Sequence, residues 1–195
     1  VEMEHPEFFN NYDEYEKNFI DFLHNIKDNG TIIFNCDDIN SLDVIGKIKD
    51  FAKEHNITIF GFTSSNFDIE NDFIKHSPIK IINEKEFILD GEKYTLKNVN
   101  GRHNIYNLSA VILLAKALGI PQDVIKDNIE NAFLPKRRME KIFDNEHIKI
   151  FDDYAHHHSQ IFYNLSTLRN TIKDNEKIIA VLEPHLISRF RDNSK

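Results

Sequence analysis

Five short stretches of this sequence carry residue types that could do chemistry. The first is Gly101-Arg102-His103-Asn104-Ile105-Tyr106-Asn107, a glycine-led loop running into a helix. Asparagine amides offer both a donor and an acceptor, which suits the edge of an adenine ring; the same residues also serve as helix caps. The second is Lys136-Arg137-Arg138, directly after Leu134-Pro135. Three cations there suit a polyphosphate, because a guanidinium grips phosphate oxygens in pairs, and a solvated surface cluster is the plain alternative. The third is Asp152-Asp153-Tyr154-Ala155-His156-His157-His158. It follows a strand, where a carboxylate can accept from a ribose diol. Its three consecutive histidines raise zinc as a ligand, but adjacent side chains in a regular element point in different directions. The fourth is Glu183-Pro184-His185 with Arg189 and Arg191 close behind, again after a strand. The fifth is Glu2, Glu4 and His5, whose oxygen and imidazole donors suit a divalent cation or simply an acidic terminus. Asp37-Asp38 reads as a strand-to-helix turn with Asp as turn former or cap.

The elements that must hold these stretches follow from the spacing of apolar residues. Tyr12, Tyr15, Phe19, Ile20, Leu23 and Ile26 predict a helix over 12–27, closed by Gly30. Thr31–Asn35 and Ile57–Phe62 predict buried strands, with a helix from Ser41 to His55 between them, which is the βαβ pattern of a parallel sheet. Residues 79–82, 86–89 and 93–96 predict strands of a small antiparallel insertion that turns at Asp90-Gly91. Asn104–Leu118 is a strongly apolar helix capped by Gly119, and Pro121 opens the next. Beyond a boundary near Leu134–Arg138, strand 148–151, helix 158–168 and strand 177–182 predict a second α/β unit. Its roughly 57 residues would bury little core. With a chain that starts at Val1 and ends without a stop at Lys195, this predicts a piece of a longer protein.

Bulk properties narrow the partners. A formal net charge of −8 argues against nucleic acid and leaves a local phosphate site open. One cysteine, Cys36, rules out an intrachain disulfide and fits a reducing cytoplasm. No apolar run is long enough for a transmembrane helix, so no membrane partner is expected. Gly-x-x-x-x-Gly-Lys-Ser/Thr, Gly-x-Gly-x-x-Gly, Gly-x-Ser-x-Gly and Cys-x-x-Cys are all absent.

In this order and spacing the stretches resemble the Mur ligase family, most closely its members that join L-alanine to UDP-N-acetylmuramate. Gly101-x-His103-Asn104-x-x-Asn107 is similar to the family's adenine-side motif, and Lys136-Arg137-Arg138-Met139-Glu140 to the segment entering its last domain. Asp152–His157 resembles Asp-Asp-Tyr-Gly/Ala-His-His-Pro, and Pro184-His185 with Arg189 and Arg191 resembles Pro-His-Arg-Tyr-x-Arg-x-Arg. Glu2–His5 resembles part of Asn-Ile-Glu-x-Asp-His. The departures are His158 for the usual Pro, Glu183 for a common Gln, and Leu186 for the Arg that would help hold an amino-acid carboxylate.

The resemblance implies an α/β fold: residues 1–135 as the later half of a parallel-sheet, ATP-binding central domain, and 136–195 as the start of a Rossmann-like C-terminal domain. It implies ATP and Mg²⁺, with the muramoyl carboxylate activated as an acyl phosphate before the amine of L-alanine attacks. By motif position it assigns His5 to the metal. His103, Asn104, Asn107, Arg137, Arg138 and Asp153 fall to the nucleotide, and Tyr154, His156 and Arg189 to the amino acid. His185 would shape its loop. The main phosphate loop is missing from these residues, so the chain alone is expected to be inactive. A ligase adding a ready-made tripeptide to the same sugar and a non-catalytic nucleotide-binding module are the alternatives.

Overall fold

The computed structural model describes residues 8–65 and 73–183. His5, His185, Leu186, Arg189 and Arg191, with Glu2 and Glu4, lie outside the described residues.

The sheet begins with two runs of β-branched and aromatic residues. Strands β1 (Thr31–Asn35) and β2 (Thr58–Thr63) pair in parallel, with Thr31 opposite Thr58 and Asn35 opposite Phe62. A parallel pair needs a crossover. Here it is made by helices α2 (Ile39–Lys47) and α3 (Lys49–Glu54). The single helix predicted over 41–55 is broken at Ile48, whose side chain is fully buried at the bend. Asp38 caps α2 by accepting from the Asn40 amide at 3.3 Å, as its residue type predicts.

The predicted antiparallel insertion is corrected by β3 (Ile74–Asn83). This strand starts five residues earlier than its apolar end suggests. Its first half pairs in parallel with β2, and its second half pairs antiparallel with β4 (Glu86–Leu89), which turns back as β5 (Glu92–Thr95). One five-stranded sheet results, in the order β1-β2-β3-β4-β5. Pro78 is tolerated because it faces Thr63, the last paired residue of β2, just where β3 changes partner. The β4–β5 turn has Asp90 and Gly91 both at positive φ, 51° and 79°, the geometry a two-residue hairpin demands.

Both faces of the sheet are covered. Ile32, Phe34 and Ile59 point into a core with Ile45 of α2, Ile48 at the bend, Ala52 of α3, and Ile20 and Leu23 of α1 (Tyr12–Leu23). Their neighbours Ile33 and Phe60 point the other way, toward α4 (Arg102–Ala117) and α5 (Gln122–Glu130), where Phe87, Leu89, Ile105 and Ile112 are completely enclosed. Each such side chain contributes roughly 1.5–3 kcal/mol by leaving water. α1 stops four residues short of its predicted end, and Gly30 is no cap. A β-carbon there would lie 2.4 Å from Ile26 Cγ2, so the glycine serves close approach. Gly119, at φ 74°, does close α4: Ile120 donates to the Ala115 carbonyl and Gly119 to that of Lys116, both at 3.0 Å.

After residues 131–139 the chain forms a separate two-stranded antiparallel sheet, β6 (Glu140–Asp144) with β7 (Lys149–Asp152), followed by α6 (His158–Thr171). β6 was not predicted. The strand predicted at 177–182 does not form among the described residues: Ile179 and Val181 are 87% and 91% exposed, with no ladder beside them. A strand is held by its neighbour's backbone, which apolar composition cannot supply.

Candidate functional site

Residues 136–139 and 152–156 are brought together at the end of β7. Tyr154 donates its amide to the Arg137 carbonyl at 2.8 Å. The Arg137 and Arg138 guanidinium carbons stand 5.2 and 5.9 Å from the centre of the Tyr154 ring, and Arg137 Nε lies 3.4 Å from Asp152 Oδ2. Two cations stacked near one aromatic ring, all exposed, form a surface suited to an anion. The loop carrying them is strained. Arg137 and Met139 sit at φ 59° and 51°, conformations that cost of order 1–3 kcal/mol each for side-chain-bearing residues. Carboxylates hold it in place: Glu140 accepts from the Arg137 amide at 2.9 Å and Asp153 from the Met139 amide at 2.6 Å.

Asp153 has further donors. Ala155 N reaches it at 2.7 Å and Asn164 Nδ2 of α6 at 3.0 Å. His156 places Nδ1 3.0 Å from the Tyr154 carbonyl and packs its ring edge-on to Tyr154 at 5.2 Å. His157 is buried and leans on His158. Among the described residues no three His, Cys, Asp or Glu side chains are grouped to hold a metal.

The Gly101 loop adjoins this cluster through α6. Tyr163 lies 6.2 Å ring to ring from His103, next in sequence to the Asn164 that bonds Asp153. Gly101 takes φ 102°, and a β-carbon there would come within 2.9 Å of both His103 Cε1 and Thr167 Oγ1. Burial drives the His103 imidazole pKa below its usual value, against the opposing pull of the Glu84 and Asp153 carboxylates. The two asparagines differ. Asn104 is buried and donates Nδ2 to the Asn100 carbonyl at 2.7 Å, whereas Asn107 is exposed further along α4. His5 and Arg189 lie outside the described residues.

A second polar centre escaped the sequence reading. Asp37 follows β1 and accepts from Thr63 Oγ1 and the Tyr106 hydroxyl at 2.5 Å each, and from the Ser64 amide at 2.9 Å. Ser64 Oγ also meets the Tyr106 hydroxyl and receives Arg102 Nη2 at 2.8 Å. Desolvation works to raise the Asp37 pKa, but the hydrogen bonds from Thr63, Tyr106, Ser64 and Ser65 outweigh it and hold the carboxyl well below its ordinary range. The centre thus joins the carboxyl ends of two parallel strands to the start of α4, the edge where α/β sheets gather ligands. The only signal in the sequence was an Asp after a strand, which turn chemistry already explains. Neighbouring Cys36 is no nucleophile, because burial and the Asp37 charge push its thiol up to about 12.

Three comparisons bear on this arrangement. A sequence model of the Mur ligase middle domain matches residues 1–115. The UDP-N-acetylmuramate–L-alanine ligase of Pelagibacter ubique is 32% identical over 100% of this chain and 42% of its own length. That of Persephonella marina is 34% identical over 97% of this chain and 39% of its own. The chain therefore spans about two fifths of the curated relatives it matches. In three dimensions it is similar to MurF from Acinetobacter baumannii, with a TM-score of 0.68 at 19% identity over 87% of this chain and 36% of that one. It is also similar to a pseudomurein peptide ligase type C from Methanothermus fervidus, with a TM-score of 0.61 at 18% identity over 91% and 40%. These structural likenesses speak to the fold alone. With more than half of its residues matched by the middle-domain model, the chain belongs to the Mur ligase family.

Proposed function

We propose that this chain is part of an ATP-dependent ligase that joins L-alanine to UDP-N-acetylmuramate through an acyl phosphate, in the cytoplasmic stage of peptidoglycan synthesis. The observation that carries the reading is the identity of 32% and 34%, along essentially the whole chain, to relatives named for that reaction. The geometry supports it at the anion-suited surface of Arg137, Arg138 and Tyr154.

In this reading residues 1–135 are part of the central domain and 136–195 open the C-terminal one. ATP supplies the phosphoryl group that activates the muramoyl carboxylate, and Mg²⁺ screens the phosphate charge. His103, Asn104 and Asn107 serve the adenine side, Arg137 or Arg138 a phosphate, and Asp153 the ribose. Tyr154, His156 and Arg189 serve the amino acid, and His5 the metal. Of these, Asn104 and Asp153 also have structural work, since Asn104 holds the loop before α4 and Asp153 the loop at Met139.

The test is phosphate release by the complete gene product given ATP, Mg²⁺ and UDP-N-acetylmuramate, with L-alanine, glycine, L-serine or a tripeptide as acceptor. Release that depends on L-alanine is expected. Release only with the tripeptide would assign the protein to the tripeptide-adding branch, and release with L-alanine would show that Leu186 in place of the usual Arg is tolerated. No release with any acceptor would overturn the ligase reading. The 195 residues alone, which lack a Gly-x-x-x-x-Gly-Lys loop, are expected to release no phosphate from ATP.

A further inference from the structure

We infer that Asp37 and Tyr106 are positioning residues for the nucleotide site: their hydrogen bond locks the first turns of α4, which carry His103 and Asn107, to the carboxyl end of β1. The inference rests on the proposed function for the identity of the ligand. Its structural basis is independent of that function.

Tyr106 sits between Asn104 and Asn107 on the same turn of α4, so any movement of its hydroxyl moves them. The acceptor it meets lies 69 residues away in sequence. That acceptor is itself fixed, because Thr63 and Ser64 at the end of β2 donate to both carboxylate oxygens of Asp37. Arg102, the first residue of α4, is tied to the same frame through Ser64.

The rest of the grip on α4 is different in kind. Ile105, Ile112 and Leu113 are buried against the sheet, and apolar contact resists separation far more than it resists a small slide or roll. A hydrogen bond to a carboxylate is short and directional, and it supplies the missing constraint. Contacts that recognise a nucleotide depend on such constraints, since a displacement of about 1 Å can cost a hundredfold in a finely placed site. Tyr106 packs its ring edge-on to Phe62 at 6.1 Å, so Tyr106→Phe removes the hydroxyl and keeps the packing.

The experiment compares the complete gene product with its Tyr106→Phe and Asp37→Asn variants. It measures Kd for ATP with Mg²⁺ and Kd for UDP-N-acetylmuramate by calorimetry, with thermal melting as the check on folding. Tyr106→Phe is expected to weaken ATP by up to about tenfold, the limit reached if the whole contribution of the lost Tyr106–Asp37 bond goes into holding the site, and to leave the UDP-sugar affinity unchanged. Asp37→Asn, which keeps one acceptor oxygen and turns an amide N–H toward the donors on the other, is expected to weaken ATP at least as much, and it carries the same comparison if Tyr106→Phe melts early. Unaltered ATP affinity in both variants would overturn the inference alone. So would an equal loss for both ligands, which would mark a general structural role. Failure of the unaltered protein to bind ATP would overturn the proposed function, and this inference with it.

Discussion

Asp153 collects donors from three places: the Met139 amide ahead of β6, the Ala155 amide in its own loop, and Asn164 on α6. Removing its carboxylate strands those donors and releases a loop already strained at Arg137 and Met139. Asp153→Ala is therefore expected to lower unfolding stability by about 2 kcal/mol, read from urea denaturation with no nucleotide present. Unchanged stability would mean that the residue serves a ligand only. At this scale the sequence was legible where chemistry is local. The cations of 136–138 and the carboxylates and Tyr of 152–154 each formed a readable run, and the structure joins the two runs. The Asp37 centre was not legible, because its partners Thr63, Ser64 and Tyr106 stand 26, 27 and 69 residues away. Each of those residues alone has an ordinary reading as a strand end or a helix surface.

Among the elements, β2 owes its fit to a missing side chain. A β-carbon on Gly61 would stand 2.3 Å from Cys36 Sγ, 2.9 Å from Ile74 Cγ2 and 3.0 Å from Phe34 Cε1, so β1, β2 and β3 close over that position together. Gly61→Ala is expected to cost about 1–3 kcal/mol by overpacking, visible as a lower urea midpoint. A midpoint equal to that of the unaltered chain would show that the three strands can part without loss. The elements that declared themselves in sequence were those with a continuous apolar pattern, β1, β2, α4 and α5 among them, together with the hairpin strands β4 and β5 on either side of Asp90-Gly91. The first half of β3 was hidden by Lys75, His76 and Pro78, whose types argue against a central strand until its neighbours are known. β6 was hidden because Glu140-Lys141-Ile142-Phe143-Asp144 has only two apolar residues among three charged ones. The opposite error came at 177–182, where apolar residues imitate a strand that has no partner among the described residues.

Across the whole molecule, helices cover both faces of the five-stranded sheet, and α6 links the Gly101 loop to the cluster at the end of β7. No helix among the described residues is long and apolar enough to cross a membrane. β1 is the terminal strand of its sheet, and among the described residues no strand lies beyond it. Beside it Thr31, Ile33, Ala110, Val111 and Leu114 line an open groove of about 310 Å³. An Ile- and Phe-rich strand with an unpaired outer side is a template onto which another polypeptide can add. Concentrating the 195-residue chain is therefore expected to drive self-association along that margin, seen in static light scattering as an apparent mass that climbs with concentration. Ile33→Lys should flatten the climb, and an unchanged climb would put the adhesive surface elsewhere. The same strand that seats Asp37 is thus also expected to limit how concentrated this chain can be kept as a single particle.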